Sequence, residues 1–123
     1  MKKSSQLLTD DMLGEVARRF RLLGEPARLR LLQLLESGER TVNELAGQIQ
    51  GNQANVSRHL TAMFEAGVLG RRRERNSVYY SIADPVVFRL CELVCNSTRE
   101  QIRSKLSALG PGADRKKAGR GGR

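Results

Sequence analysis

The chain contains no tryptophan, and three phenylalanines with two tyrosines are few aromatics for 123 residues. Single-strand and RNA-binding surfaces stack bases on aromatic side chains, so that class lacks its main device here. One histidine, His59, is too little for a histidine-built metal site. Two cysteines, Cys91 and Cys95, are too few and too close in the chain for the disulfide framework of a small secreted domain. No apolar run approaches the roughly 18 to 20 residues a membrane span needs, and the opening MKKSSQLLTDD lacks the apolar core of a signal peptide. A cytoplasmic protein without membrane attachment is therefore expected. An enzyme would need a nucleophile with its base, paired carboxylates or a phosphate-cradling glycine loop, and none is visible; the glycines fall at helix ends or in the tail.

What is abundant is positive charge. Lys and Arg total 22 against 13 Asp and Glu, a formal charge of +9 and a pI near 10.6. That balance points to an anionic partner, either nucleic acid or an acidic membrane surface, and the scarcity of aromatics favours duplex DNA. The length and a 39% apolar content suit one compact core, expected over residues 1–109.

Periodicity predicts five helices. Leu13, Val16, Ala17 and Phe20 recur at helical spacing between a cap at Thr9 or Asp10 and a stop at Gly24. Glu25-Pro26 opens a second helix, with Ala27, Leu31, Leu34 and Leu35 apolar up to Ser37-Gly38. Thr41-Val-Asn-Glu reads as a capping box ahead of Leu45, Ala46 and Ile49. Asn52 caps a fourth helix whose Val56, Leu60, Met63 and Phe64 form one stripe before Ala66-Gly67. Asp84-Pro85 opens a long fifth helix with Val87, Leu90, Cys91, Val94, Thr98 and Ile102 on a seam, broken at Gly110-Pro-Gly.

Between helices four and five the period changes to two. Val68-Leu69 lead into Gly-Arg-Arg-Arg-Glu-Arg-Asn-Ser, and Val78, Tyr80 and Ile82 then alternate with Tyr79 and Ser81, which predicts two strands around an arginine-rich turn. Residues 110–123 carry five basic side chains against one aspartate and read as a disordered basic tail. The fold class is thus mainly α with a small β-hairpin: a winged helix-turn-helix of five helices and two strands.

In that order of elements the fourth helix enters the major groove and the hairpin becomes a wing on the backbone. Asn52, Gln53, Asn55, Ser57, Arg58 and His59 lie at its start and on its polar face. Gln and Asn can pair with adenine and Arg with guanine, while Ser and a helix N-terminus suit phosphate. Arg71, Arg72, Arg73 and Arg75 are expected at the hairpin tip, within reach of phosphates or a narrow minor groove. One short recognition helix reads only a few base pairs, whereas useful specificity needs roughly 4 to 10 kcal/mol over random DNA, so two half-sites and a dimer are expected. A non-specific architectural or membrane-surface protein would fit the charge without needing that polar face.

The stretches Gly24-Glu-Pro-Ala-Arg-Leu-Arg-Leu-Leu, Val56-Ser-Arg-His-Leu, Glu65-Ala-Gly-Val-Leu and Val78-Tyr-Tyr-Ser-Ile resemble the ArsR/SmtB family of winged-helix repressors, over roughly Phe20 to Ile82. The resemblance implies a homodimer through the first and last helices, two recognition helices on a near-palindromic operator, and an effector that releases the DNA. It also exposes two departures. Val86 and Ser97 stand about where last-helix imidazoles would be, and Thr41-Val42-Asn43 stands where a Cys-x-Cys would be needed.

Cys91 and Cys95 remain as the one thiol pair, on one face of the fifth helix with Cα atoms roughly 6 Å apart. A disulfide within the helix would strain it, whereas two thiolates can bridge one soft metal ion or a trivalent arsenical. Across a dimer axis they could also meet their symmetry mates and sense oxidants or polysulfides. Equally, cysteine packs as a small hydrophobe, and both continue an apolar stripe. Either sensing or packing accounts for the pair at this stage.

Overall fold

A computed structural model describes residues 8–49 and 51–109. The basic tail expected over 110–123 lies outside the described residues. The chain divides after Pro85 into two units, the second consisting, among the described residues, of the last helix from Val86 onward.

In the first unit the elements run α1 (Asp10–Leu23), α2 (Pro26–Leu34), β1 (Arg40–Thr41), α3 (Val42–Ile49), α4 (Gln53–Glu65), β2 (Leu69–Glu74) and β3 (Ser77–Ile82); α5 spans Pro85–Ala108. Local chemistry accounts for the boundaries. The Thr9 hydroxyl accepts from the Met12 amide at 3.2 Å and starts α1. Pro26 occupies the first turn of α2, where a missing N–H costs nothing. The capping box of α3 is reciprocal: Glu44 N–H donates to Thr41 Oγ1 at 3.1 Å and Thr41 N–H to Glu44 Oε1 at 2.9 Å.

Helix α4 ends in a Schellman turn. Gly67 takes φ +83°, its amide donates to the Phe64 carbonyl at 3.0 Å, and the Val68 amide reaches back to Met63 at 2.9 Å. The Val68 carbonyl then accepts from Ala83 and Asp84 at 3.0 and 3.2 Å, which ties the far end of β3 to the exit of α4.

Two expectations need correction. Helix α2 stops at Leu34 rather than running to Ser37-Gly38; the Leu35 and Gly38 amides close tight turns instead. The sheet has three strands, ordered β1-β3-β2 and antiparallel, not two. Strand β1 is only Arg40–Thr41, opposite Tyr80 and Tyr79. Two residues are too short for any period-two pattern, so the strand exists only because β3 offers an open edge. Arg40 also donates from Nε to the Leu34 carbonyl at 2.9 Å, which fixes the approach to that edge.

The core gathers Leu31, Leu32 and Leu35 of α2 and its exit, Leu45 of α3, Val56, Leu60 and Met63 of α4, and Val68, Leu69 and Tyr80 of the sheet, all fully or nearly fully buried. No polar or charged side chain is buried with them among the described residues. In consequence the core holds α4 along its underside, and Asn55 and Arg58 on its other face stay in solvent.

By contrast, α1 and α5 each present large apolar side chains to solvent: Met12, Leu13, Val16 and Phe20 on α1, and Val86, Leu93, Val94 and Ile102 on α5, all more than one third exposed. Of the expected α5 seam, Val87 is buried and Leu90 half-buried, while Val94 and Ile102 are exposed. Among the described residues no helix is long and apolar enough to cross a membrane.

Candidate nucleic-acid interface

Asn52 shapes the start of α4, because its Oδ1 accepts from the Ala54 and Asn55 amides at 2.7 and 3.2 Å. That use of the side chain makes Asn52 a cap first. With Val56, Leu60 and Met63 inward, the 3.6-residue period turns Asn55 and Arg58 outward, while Gln53 is exposed as the first residue of the helix. Arg58 Nη2 donates to Asn55 Oδ1 at 2.6 Å, one turn apart. Two of the base-reading types thus stand side by side before any DNA arrives. Ser57 is half-buried.

His59 occupies a different environment from its neighbours. Its Nδ1 accepts from Arg28 Nε at 3.0 Å, and Arg28 Nη1 donates in turn to the Leu22 carbonyl at 2.8 Å. One α2 side chain therefore joins the end of α1 to the middle of α4. Acceptance at Nδ1 leaves the proton of the neutral ring on Nε2. Desolvation first, then the Arg28 charge, holds the imidazole below its ordinary value, with Glu25 opposing and Arg58 adding to the effect.

In the wing, the structure moves three of the four arginines away from the tip. Arg71, Arg72 and Arg73 lie within β2, opposite Tyr80, Tyr79 and Val78, and only Arg75 sits in the two-residue turn, at φ +59°. Alternation sends neighbours to opposite faces. The Arg71 guanidinium lies 4.0 Å from the Phe64 ring centroid, which lays it against the exit half of α4. Arg72 stacks at 4.3 Å on Tyr79, donates to both Glu39 carboxylate oxygens, from Nη2 at 2.6 Å and from Nε at 3.0 and 3.2 Å, and donates to Glu74 at 2.6 Å.

That double pairing raises the Arg72 pKa further and lowers that of Glu39, chiefly through their hydrogen bond. Arg72 is therefore occupied in holding the wing to the loop before β1. The Arg73 and Arg75 side chains are exposed and have no ion pair or hydrogen bond among the described residues.

On α5, Cys91 is half-buried and Cys95 exposed, both as free thiols. Burial pushes the Cys91 thiol up, and the neighbouring Cys95 adds to the shift. No group of three or more His, Cys, Asp or Glu side chains that could hold a metal ion occurs among the described residues. The two thiols alone thus give a metal at most two protein donors from one chain.

The Arg28–His59 and Glu39–Arg72 contacts were not predicted from sequence. Partners 31 and 33 residues apart carry no periodic signal; the one hint was a lone histidine on an otherwise amide- and arginine-bearing helix face.

Comparison with known proteins supplies a lineage. Residues 25–69 match the family model described as bacterial regulatory protein, arsR family. A probable mercury resistance operon repressor of Streptomyces lividans is 41% identical over 71 residues, 58% of this chain and 57% of its own length. The match thus spans under two thirds of that relative. Among solved structures, a homodimeric winged helix-turn-helix DNA-binding domain from Mycobacterium bovis is 35% identical with a TM-score of 0.67, covering 76% of this chain and 90% of that one. The AntR antimony-specific transcriptional repressor is 34% identical with a TM-score of 0.71, covering 79% and 88% respectively. With this helix order, this winged sheet and these matches, the chain belongs to the arsR family of bacterial regulatory proteins.

Proposed function

We propose that the protein is a homodimeric transcriptional repressor that lays α4 in the major groove of an operator. The observation that carries this reading is the two-sidedness of α4: Val56, Leu60 and Met63 are buried, while Asn55 and Arg58 are exposed on the other side and Gln53 is exposed at the helix's first position. Those three supply bidentate donors and acceptors for base edges, and the helix N-terminus can meet a phosphate. Ser57 and the Nε2 proton of His59 contribute at the margin of this surface. Arg73 and Arg75 reach the backbone from the wing, whereas Asn52, Arg71 and Arg72 mainly hold the reading elements in place.

Dimerisation follows from the exposed apolar side chains of α1 and α5, which need covering. The relative solved from M. bovis is itself described as homodimeric. A mobility-shift titration on DNA upstream of the protein's own gene, with random duplex as competitor and salt varied, tests the reading. Operator binding should exceed random binding by orders of magnitude, and equal affinity would refute it.

For release from DNA, the Cys91 and Cys95 thiols are the reading favoured by their position, since Cys95 is open to solvent one helical turn from Cys91. A soft metal ion or trivalent arsenical would take two sulfurs per chain and draw further donors from the second copy. Release by arsenite or polysulfide should vanish in Cys91→Ser and Cys95→Ser while DNA binding persists. Normal release in the double variant would assign both cysteines to packing.

A further inference from the structure

A cavity of about 590 Å3 opens in the first unit where α1, α2 and the exit of α4 meet. Its walls carry four guanidinium groups, those of Arg18, Arg19, Arg21 and Arg28, against two carboxylates, Glu15 and Glu65. Glu15 is already spent on Arg18 at 2.9 Å. The Arg19 and Arg21 side chains have no ion pair or hydrogen bond among the described residues, and Leu22 and Ala66 add an apolar stretch of lining.

On α1, Glu15, Arg18, Arg19 and Leu22 follow the i, i+3, i+4, i+7 pattern of one helix face. At 100° per residue the exposed apolar residues Leu13, Val16 and Phe20 centre on the other side, with Met12 at the edge next to Arg19. Covering the apolar side by a second copy therefore leaves the arginine side open. A concave wall with carboxylates among its cations is badly matched to a duplex backbone, which would meet Glu65 and Glu15 as well. It is well matched to a small multivalent anion, whose separate oxygens can face separate guanidinium groups.

We propose that this cavity is a binding site for a small organic or inorganic polyanion, a polycarboxylate or a phosphate ester, and that Arg28 transmits its occupancy to α4. Arg28 lines the cavity, and its Nε also donates to His59 Nδ1 on the recognition helix at 3.0 Å. An anion engaging the guanidinium competes for, or redirects, the group that braces α4 against α1 and α2. The site is thus a second regulatory input, separate from the thiols of α5. As a regulator of operator affinity it rests on the repressor reading, but anion binding and its effect on His59 do not.

The experiment uses the untagged full chain without DNA, titrated with citrate and with pyrophosphate at constant ionic strength. Because His59 is the single histidine, its imidazole nitrogen resonances report on the coupling without ambiguity. Saturable binding of either anion is expected, with movement of the His59 resonances along the same isotherm. The variant pair Arg19→Ala and Arg21→Ala, both exposed and remote from the core, should weaken binding by about tenfold or more. In Arg28→Lys, which keeps the charge but loses the fork, citrate or pyrophosphate should still bind while the His59 resonances no longer follow.

Linear, non-saturating titrations would overturn the site, as would an isotherm unchanged by the paired alanines. Saturable binding that leaves His59 unmoved in the wild type would overturn the coupling. If the paired alanines reduce the salt slope of DNA binding while citrate and pyrophosphate never bind, the cavity faces duplex backbone and the proposal fails. Should the anions bind and move His59 but the protein prefer no DNA sequence, the repressor reading would fail and the anion site would stand.

Discussion

Helix α4 and the wing are both rich in groups that suit DNA, yet they use them differently. On α4 the period of 3.6 gathers the apolar side chains underneath and leaves Asn55 and Arg58 on the solvent side, with Gln53 exposed at the helix start. On β2 the period of two splits consecutive arginines between faces: Arg71 packs on Phe64, and Arg72 is spent on Glu39, Glu74 and Tyr79. Of the wing's arginines, only the Arg73 and Arg75 side chains remain without partners among the described residues. A helix can offer several neighbouring side chains to one groove, whereas a hairpin must use part of its charge to stand upright. A run of arginines is accordingly a poor count of phosphate contacts.

The largest expected effect lies under the helix. Leu60→Ala empties a fully buried position and should cost about 2–5 kcal/mol in stability, read by chemical or thermal denaturation; a loss within error would mean that α4 is not held by this core. Next, Gln53→Ala or Arg58→Ala should remove about 1–3 kcal/mol of discrimination between operator and mismatched sites, with melting nearly unchanged. If selectivity survives both substitutions, α4 is not the reading surface.

The wing sets a smaller and different effect. Arg73→Ala and Arg75→Ala should each weaken operator and random DNA alike and lower the log-log salt slope by about 1. Arg72→Ala should leave that slope nearly intact while loosening the wing, visible as faster amide exchange in β2 and β3. A full unit of slope lost on Arg72→Ala would put that side chain on phosphate and erase the contrast drawn between the strands' arginines.

The smallest effect concerns pH. The folded-state pKa of His59 lies below the ordinary 6.5, so the unfolded chain takes up the proton first as pH falls. Its contribution is complete above that value and is lost progressively below it, as an imidazolium would face Arg28 with no lone pair to offer. Wild type should therefore lose more stability than His59→Gln between neutral pH and pH 5, by melting temperature. Parallel pH profiles would deny the Arg28–His59 brace.

Much of the fold was legible in the sequence because its signals are local. Thr9, Pro26, the Thr41/Glu44 box, Asn52 and Gly67 each act within a few residues, and the stripe of α4 repeats every turn. The polar face of α4 was legible for the same reason. The third strand was not, since two residues carry no pattern, nor was the end of α2, where Leu35 continues the apolar spacing although the backbone has already turned.

By itself, then, the sequence determined the order of helices, the polar face of α4 and the positive charge beside it, all legible within a few residues. Only the tertiary structure decided which of those charges are free. Whether Arg72 meets a phosphate or Glu39, and whether His59 faces a groove or Arg28, depends on side chains more than thirty residues away. The energy of a charged group is set by whatever lies within a few ångströms of it, and folding, not periodicity, chooses those neighbours.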